Sequence, residues 1–241
     1  MARQNEINCL ENIKNVLAGK TSINIYSNCD LDMISRYICR AKPNENPNDF
    51  SDFTFAGGGI EHFEVTSSKE TKKGSEFKIE EHKNGKIWEQ RYLEFENECL
   101  DSEYSSGKIV VESSSFTYEE FNYDDFIYSL KRNIVKHVTS LKKNNYCDKT
   151  VFFLIEQKSA RLVINVGVDF AKFYSLHDDR NALSLIKEYC NYVNYLIYFV
   201  ADSIEILDLS KIDELLDKSI ENNNIKGGRL IKPRFNLFID I

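Results

Sequence analysis

The sequence predicts an α/β protein built on a mixed central β-sheet flanked by helices, and three observations carry that expectation. Residues 124–143 place Phe126, Ile127, Leu130, Ile134, Val138 and Leu141 at helical spacing, an apolar stripe that must face a core. The run Thr150-Val-Phe-Phe-Leu-Ile-Glu156 is almost continuously apolar, as a strand covered on both faces requires. Helical and strand-like segments alternate around these two, which is the order of a layered α/β architecture.

The first helix spans residues 6–17, with Ile7, Leu10, Ile13, Val16 and Leu17 on one side and Gly19 placed to end it. A second starts at Asp30 or Asp32 as N-cap, carries Ile34, Tyr37 and Ile38, and stops before Pro43. Residues 42–48 read as a loop. Strands follow over 50–66, then a polar Lys/Glu-rich stretch to about residue 98, of which 86–95 reads as extended or mixed. The Ile-Val-Val run predicts a strand within 108–117. After the 124–143 helix and the 150–156 strand come a helix over 182–191, a hairpin of 195–201 and 204–209 across Asp202-Ser203, and a helix from Ser210 to about residue 220. One domain over 1–241 is expected, its core at about 1–160 and a helix-hairpin-helix extension at 161–241.

Composition narrows the function classes. The longest apolar run, residues 195–201, is far below the roughly 20 residues of a membrane-spanning helix. The amino terminus has no apolar signal core, so a cytoplasmic location and no membrane partner are expected. Cysteines at 9, 29, 39, 99, 147 and 190 form no CxxC pair, which points to reduced thiols rather than a zinc ribbon or redox dithiol. The histidines at 62, 82, 137 and 177 share no metal-ligand spacing. A net charge of −7 opposes a non-specific nucleic-acid coat. Local basic stretches remain: Lys69, Lys72, Lys73, Lys78, Lys83 and Lys86, and Lys131, Arg132, Lys136, Lys142 and Lys143 on the long helix.

The candidate site is the hairpin over residues 51–66, whose turn is expected at Gly57-Gly58-Gly59 because tight turns demand positive φ. A turn centred on Gly58 pairs Asp52 with Glu64, Thr54 with His62 and Phe53 with Phe63. Alternation then gathers Asp52, Thr54, His62, Glu64 and Thr66 on one face and Phe53, Phe55, Phe63 and Val65 on the other. Directly opposed carboxylates repel, and a divalent cation between Asp52 and Glu64 relieves that repulsion. Mg²⁺ or Mn²⁺ is the hard, oxygen-seeking choice.

An acid on one strand, a second on the next and a third residue two positions later resembles the D-x(n)-(D/E)-x-K signature of the PD-(D/E)XK nuclease superfamily, here Asp52, Glu64 and Thr66. The order of elements over about residues 1–160 is similar to that family's restriction-endonuclease-like core. The resemblance implies a metal-dependent nuclease acting on DNA or RNA, with Asp52 and Glu64 as metal ligands. It also implies a lysine that offsets charge on the phosphate. Thr66 occupies the lysine position, so Lys69, or a lysine further on such as Lys72 or Lys78, is the expected substitute. Lys72, Lys73 and Lys78 are expected to hold nucleic-acid backbone.

Other readings are weaker. No helix start and no GK[ST] follow the glycines, which argues against a phosphate loop. Ser67-Ser68 and Ser113–Ser115 lack a nucleophile-elbow context. Tyr189, Tyr192, Tyr195 and Tyr198 have near-helical spacing and read as packing residues. The alternative function is a non-catalytic protein- or nucleic-acid-binding module on the same scaffold.

Overall fold

The structure, a computed structural model, describes residues 2–46, 50–71, 74–101, 109–120, 122–157, 163–165, 171–200, 203–220, 225–226 and 229–239. Its helices are α1 (Ala2–Leu17), α2 (Leu31–Arg40), α3 (Glu76–Asp101), α4 (Tyr123–Lys143), α5 (Arg180–Lys187) and α6 (Ile212–Lys218). Its strands are β1 (Asn24–Ser27), β2 (Lys42–Pro43), β3 (Phe53–Phe55), β4 (Gly58–Val65), β5 (Glu70–Thr71), β6 (Gly74–Ser75), β7 (Ile109–Glu120), β8 (Thr150–Gln157), β9 (Val163–Asn165), β10 (Ala171–Phe173), β11 (Tyr195–Val200), β12 (Ser203–Asp208), β13 (Ile225–Lys226) and β14 (Arg229–Ile239).

A seven-stranded mixed sheet in the order β1-β12-β11-β8-β4-β3-β2 organises the protein, as the fold class expected from sequence requires. β8 lies at its centre, parallel to both β4 and β11. Its apolar run divides by alternation. Val151, Phe153 and Ile155 pack with Phe126, Leu130, Ile134, Val138 and Leu141 of α4 and with α5 and α6. Phe152 and Leu154 pack with Leu10, Ile13, Ile34 and Ile38 of α1 and α2 on the opposite face. A strand with both faces buried cannot afford an alternating polar pattern, which explains why β8 is the most legible strand in the sequence.

Local signals set the helix ends. Asp30 accepts from the amides of Asp32 and Met33 at the start of α2, and Asn122 accepts from the amide of Asp125 at the start of α4. Asp124 and Asp125 lie in the first turn of α4 and Lys142 and Lys143 in its last, matching the helix dipole. Gly19 follows α1 with φ at 69°.

Several elements depart from the sequence expectation. β11 and β12, expected in a C-terminal extension, lie inside the main sheet between β1 and β8. Residues 86–95 are helical within α3, not extended. This helix has no continuous apolar stripe to announce it, because much of its surface is solvated and it packs on a two-stranded ribbon of β7 and β14 through Trp88 against Phe116. The helix expected to begin at Ser210 starts at Ile212 after a short 3-10 turn, whose cap is Asp208. Tyr195 and Tyr198 belong to β11, whereas Tyr189 and Tyr192 follow α5, so the four share no helix. No described helix is long and apolar enough to cross a membrane.

The hairpin register is also corrected. Phe53 pairs with Ile60, Thr54 with Gly59 and Phe55 with Gly58, so the turn is Ala56-Gly57 and only Gly57 among the three glycines has positive φ, at 86°. Gly58 and Gly59 are strand residues required by close approach. A Cβ on Gly58 would lie 2.0 Å from the Thr150 carbonyl oxygen, and one on Gly59 would lie 2.1 Å from Ser51 Oγ. The turn therefore sits earlier than a symmetric triplet implies, and the odd shift in register exchanges faces. Ile60 joins Phe53 on the α1/α2 side, while Phe63 and Val65 face α4. The expected Asp52–Glu64 and Phe53–Phe63 pairs do not form.

Candidate active site at the free edge of β4

β3 covers only Gly58–Ile60 of β4. Beyond it, residues 61–65 pair with β8 on one side, and no described strand covers the other. An uncovered edge leaves backbone groups to satisfy, and here side chains do so. Asp52 Oδ2 accepts from the His62 amide at 2.7 Å, and Asn133 Nδ2 of α4 donates to the Glu64 carbonyl at 3.3 Å. The segment leading into β3 and the inner face of α4 are thus fastened to the edge.

Around this edge lies a cleft of about 470 Å³. Its walls are Asn5 and Glu6 from α1, Asp52 before β3, Glu61, His62, Phe63 and Glu64 from β4, Lys78 from α3, and Asn133, Lys136 and His137 from α4. Because an edge exposes both faces of its strand, successive residues 61–64 all reach it. The structure brings three of the sequence-predicted site residues together here: Asp52, Glu64 and Lys78. Glu64 and Lys78 form an ion pair.

The others lie elsewhere. Thr66 is buried beside α4, its amide donating to Ser129 Oγ at 3.2 Å and its Oγ1 accepting from the Ser68 amide at 3.1 Å, a turn-stabilising role. Lys69 is exposed and outside the cleft walls, and its carbonyl accepts from the Glu76 amide. Lys72 and Lys73 lie outside the described residues.

Electrostatics in the cleft are dominated by burial. Asp52 is pushed up to about 6 by desolvation, reinforced by the charge of Glu61. Desolvation pushes Glu61 itself up to about 7. His137 is pulled down to about 4 by burial and by neighbouring Lys136, so it is neutral near pH 7. Its Nδ1 lies 2.6 Å from Glu61 Oε1, and its ring stacks on Phe63 at 4.6 Å. The neutral imidazole holds Glu61 in place. A carboxylate partner fixes which ring nitrogen is turned away.

On the α1 side of the same strand, His62 Nε2 lies 3.1 Å from Glu156 Oε2 of β8. The sulfur of Cys9 on α1 joins them, with one ligand atom from each of Cys9, His62 and Glu156 lying within 4.8 Å of the others. This mixed S/N/O cluster of Cys9, His62 and Glu156 adjoins the cleft, on whose walls the carboxylates of Asp52, Glu61 and Glu64 lie.

Sequence reasoning missed Glu61, Asn133, His137, Glu156 and Cys9 as site residues, though three carried a signal. Asn133 and His137 interrupt the stripe of Leu130, Ile134 and Leu141 at helical spacing, and Glu156 ends an apolar run. Polar residues at positions patterned for a core are candidates for a shared site. No protein-family model matches the chain, and comparison with curated proteins and with solved structures finds no match.

Proposed function

We propose that the cleft hydrolyses phosphodiester bonds in DNA or RNA with the help of a divalent cation. The observation that carries this reading is the joint presence of Asp52, Glu61, Glu64 and Lys78 in one cleft at the edge of β4. Four acids on its walls face two lysines, and two of the acids hold protons more tightly than usual because burial penalises their charge. Such an oxygen-rich, under-neutralised set fits Mg²⁺ or Mn²⁺, with Asp52 and Glu64 as the holding residues.

The bound ion supplies polarisation of a phosphoryl oxygen and acidification of a water. Glu61, with its carboxyl near 7, is poised to take the proton from an attacking water, the pKa match that efficient general bases have. Neutral His137 orients it through the 2.6 Å contact. Lys78, ion-paired to Glu64, extends from α3 and meets charge developing on the phosphate, the role for which the sequence lacks a lysine at position 66. Lys136 on the α4 wall holds the flanking backbone.

The test is cleavage of single- and double-stranded DNA and RNA with Mg²⁺ or Mn²⁺, comparing the native chain with Glu64→Gln. Cleavage reduced at least 100-fold in the variant is expected, the scale for loss of a group that organises transition-state charge. Cleavage that does not depend on Glu64, or none with either ion, overturns the reading.

A further inference from the structure

The α1-facing side of the sheet is apolar from Phe53 and Ile60 across Phe152 and Leu154 to Ile197, Ile204 and Ile206. At one end of it this pattern breaks. His62 and Glu156 are two strands' neighbours whose side chains are 4% and 14% exposed, and Cys9, 2% exposed, closes over them from α1. A thiol, an imidazole and a carboxylate brought to one point from three separate elements is costly unless something rewards the convergence.

We propose that Cys9, His62 and Glu156 form a binding site for a borderline-soft divalent ion of the zinc class, with a further coordination position open to the cleft. Zinc accepts this combination of S, N and O donors, whereas Mg²⁺ and Ca²⁺ do not take thiolate. Metal–ligand bonds of about 2.0–2.3 Å arranged tetrahedrally put the donor atoms roughly 3.3–3.6 Å apart. In the observed cluster the His62 and Glu156 donors are 3.1 Å apart and all three ligand atoms lie within 4.8 Å of one another, close to that geometry. Entry is available: His62 itself lines the cleft, as do Asn5 and Glu6, one helical turn before Cys9 on α1. Binding releases the Cys9 thiol proton to solvent and leaves His62 neutral.

The site is independent of the hydrolase reading, since neither Asp52 nor Glu64 is one of its ligands and it needs no nucleic acid. Its test is titration of the metal-stripped full chain with Co²⁺, followed by Zn²⁺. One equivalent of cobalt is expected to produce a sulfur-to-metal charge-transfer absorption, abolished by one equivalent of zinc and absent in Cys9→Ser. Glu156→Gln should weaken cobalt binding at least tenfold. Because replacing buried Cys9 also alters packing at α1, X-ray absorption on the zinc-loaded native chain gives a second measurement. One sulfur at about 2.3 Å with nitrogen and oxygen neighbours is expected. A zinc shell without sulfur, no cobalt band, or a band retained in a folded Cys9→Ser chain overturns the proposal.

Discussion

Glu64 and Glu156 are lateral partners in the parallel register of β4 and β8, and each carboxylate has its own partner: the Lys78 ammonium for Glu64 and the His62 imidazole for Glu156. Like-charged neighbours on one sheet face are destabilising, so the partners are part of what lets the pair persist. The same division distinguishes the carboxylates on the cleft walls from the Cys9, His62 and Glu156 cluster.

Removing Lys78 tests how that charge is used. Lys78 is 56% exposed, so the ion pair contributes at most about 1 kcal/mol to stability. Lys78→Met is expected to leave the urea midpoint nearly unchanged and to tighten Mn²⁺ binding, because a competing positive charge has gone. Cleavage should nevertheless fall by about 100-fold. Isothermal titration alongside the nuclease assay distinguishes this outcome from simple loss of the metal, which Glu64→Gln should produce.

Gly59 controls where Asp52 sits. A Cβ there would meet Ser51 Oγ at 2.1 Å and Phe53 O at 3.1 Å, pressing on the segment that carries Asp52 across the β4 edge. Gly59→Ala is expected to cost about 1–3 kcal/mol in denaturant unfolding, the range for overpacking. It should also weaken divalent binding, since displacement of residues 51–53 withdraws Asp52 Oδ2 from the His62 amide. Gly57→Ala, with open space around its Cβ but φ at 86°, strains only the turn and should leave ion binding intact.

The contrast between these glycines shows why the site was only half legible. Composition marks a glycine triplet as a turn, yet two of the three are glycine because β8 and Ser51 press against them, a tertiary cause that no local pattern carries. That single error shifted the register and exchanged the faces of Glu64 and Phe63. Long amphipathic α4 and doubly buried β8 were readable because each satisfies one strong period. β1 was not, being four residues at a sheet edge with little apolar surface. Asp52, Glu64 and Lys78 were identified singly, but their meeting depends on β3 stopping short, and Lys78 arrives on a helix whose stripe is too weak to announce it.

Asp179 makes a separate structural prediction. It is fully buried, accepts from Tyr174 Oη at 2.7 Å and from Tyr123 Oη at 2.7 Å, and caps α5 through the amides of Asn181 and Ala182. Burial and this acid raise both phenols above their ordinary range. Asp179→Ala removes the shared acceptor and is expected to cost about 3–5 kcal/mol, the scale for two hydroxyls and a helix cap losing their buried acceptor together. Tyr174→Phe should cost about 1–3 kcal/mol. A double-mutant cycle in urea should show that the two losses are not additive.

The cleft also writes a pH signature into stability. Glu61 and Asp52 have folded-state values raised to about 7 and 6, so they bind protons more tightly in the folded chain than in the unfolded one. Their contribution is fully present below about pH 4 and is lost as pH rises through 6 and 7. His137, lowered to about 4, acts oppositely: its contribution is present above about 6.5 and is lost as pH falls through 4. Glu61→Gln removes the larger acidic shift while keeping an oxygen to meet His137. Relative to the native chain, this variant should therefore gain stability between pH 5 and pH 8, by up to about 3 kcal/mol for a shift from 4.5 to about 7. Saturating Mg²⁺ should stabilise the native chain more at pH 8 than at pH 5, because the ion favours the ionised carboxyls and supplies the balance that burial withholds. Thermal melts of both chains across this range, with and without Mg²⁺, check the sign. A native-minus-variant difference that grows in favour of the native chain as pH rises would show that Glu61 ionises without penalty in the folded cleft.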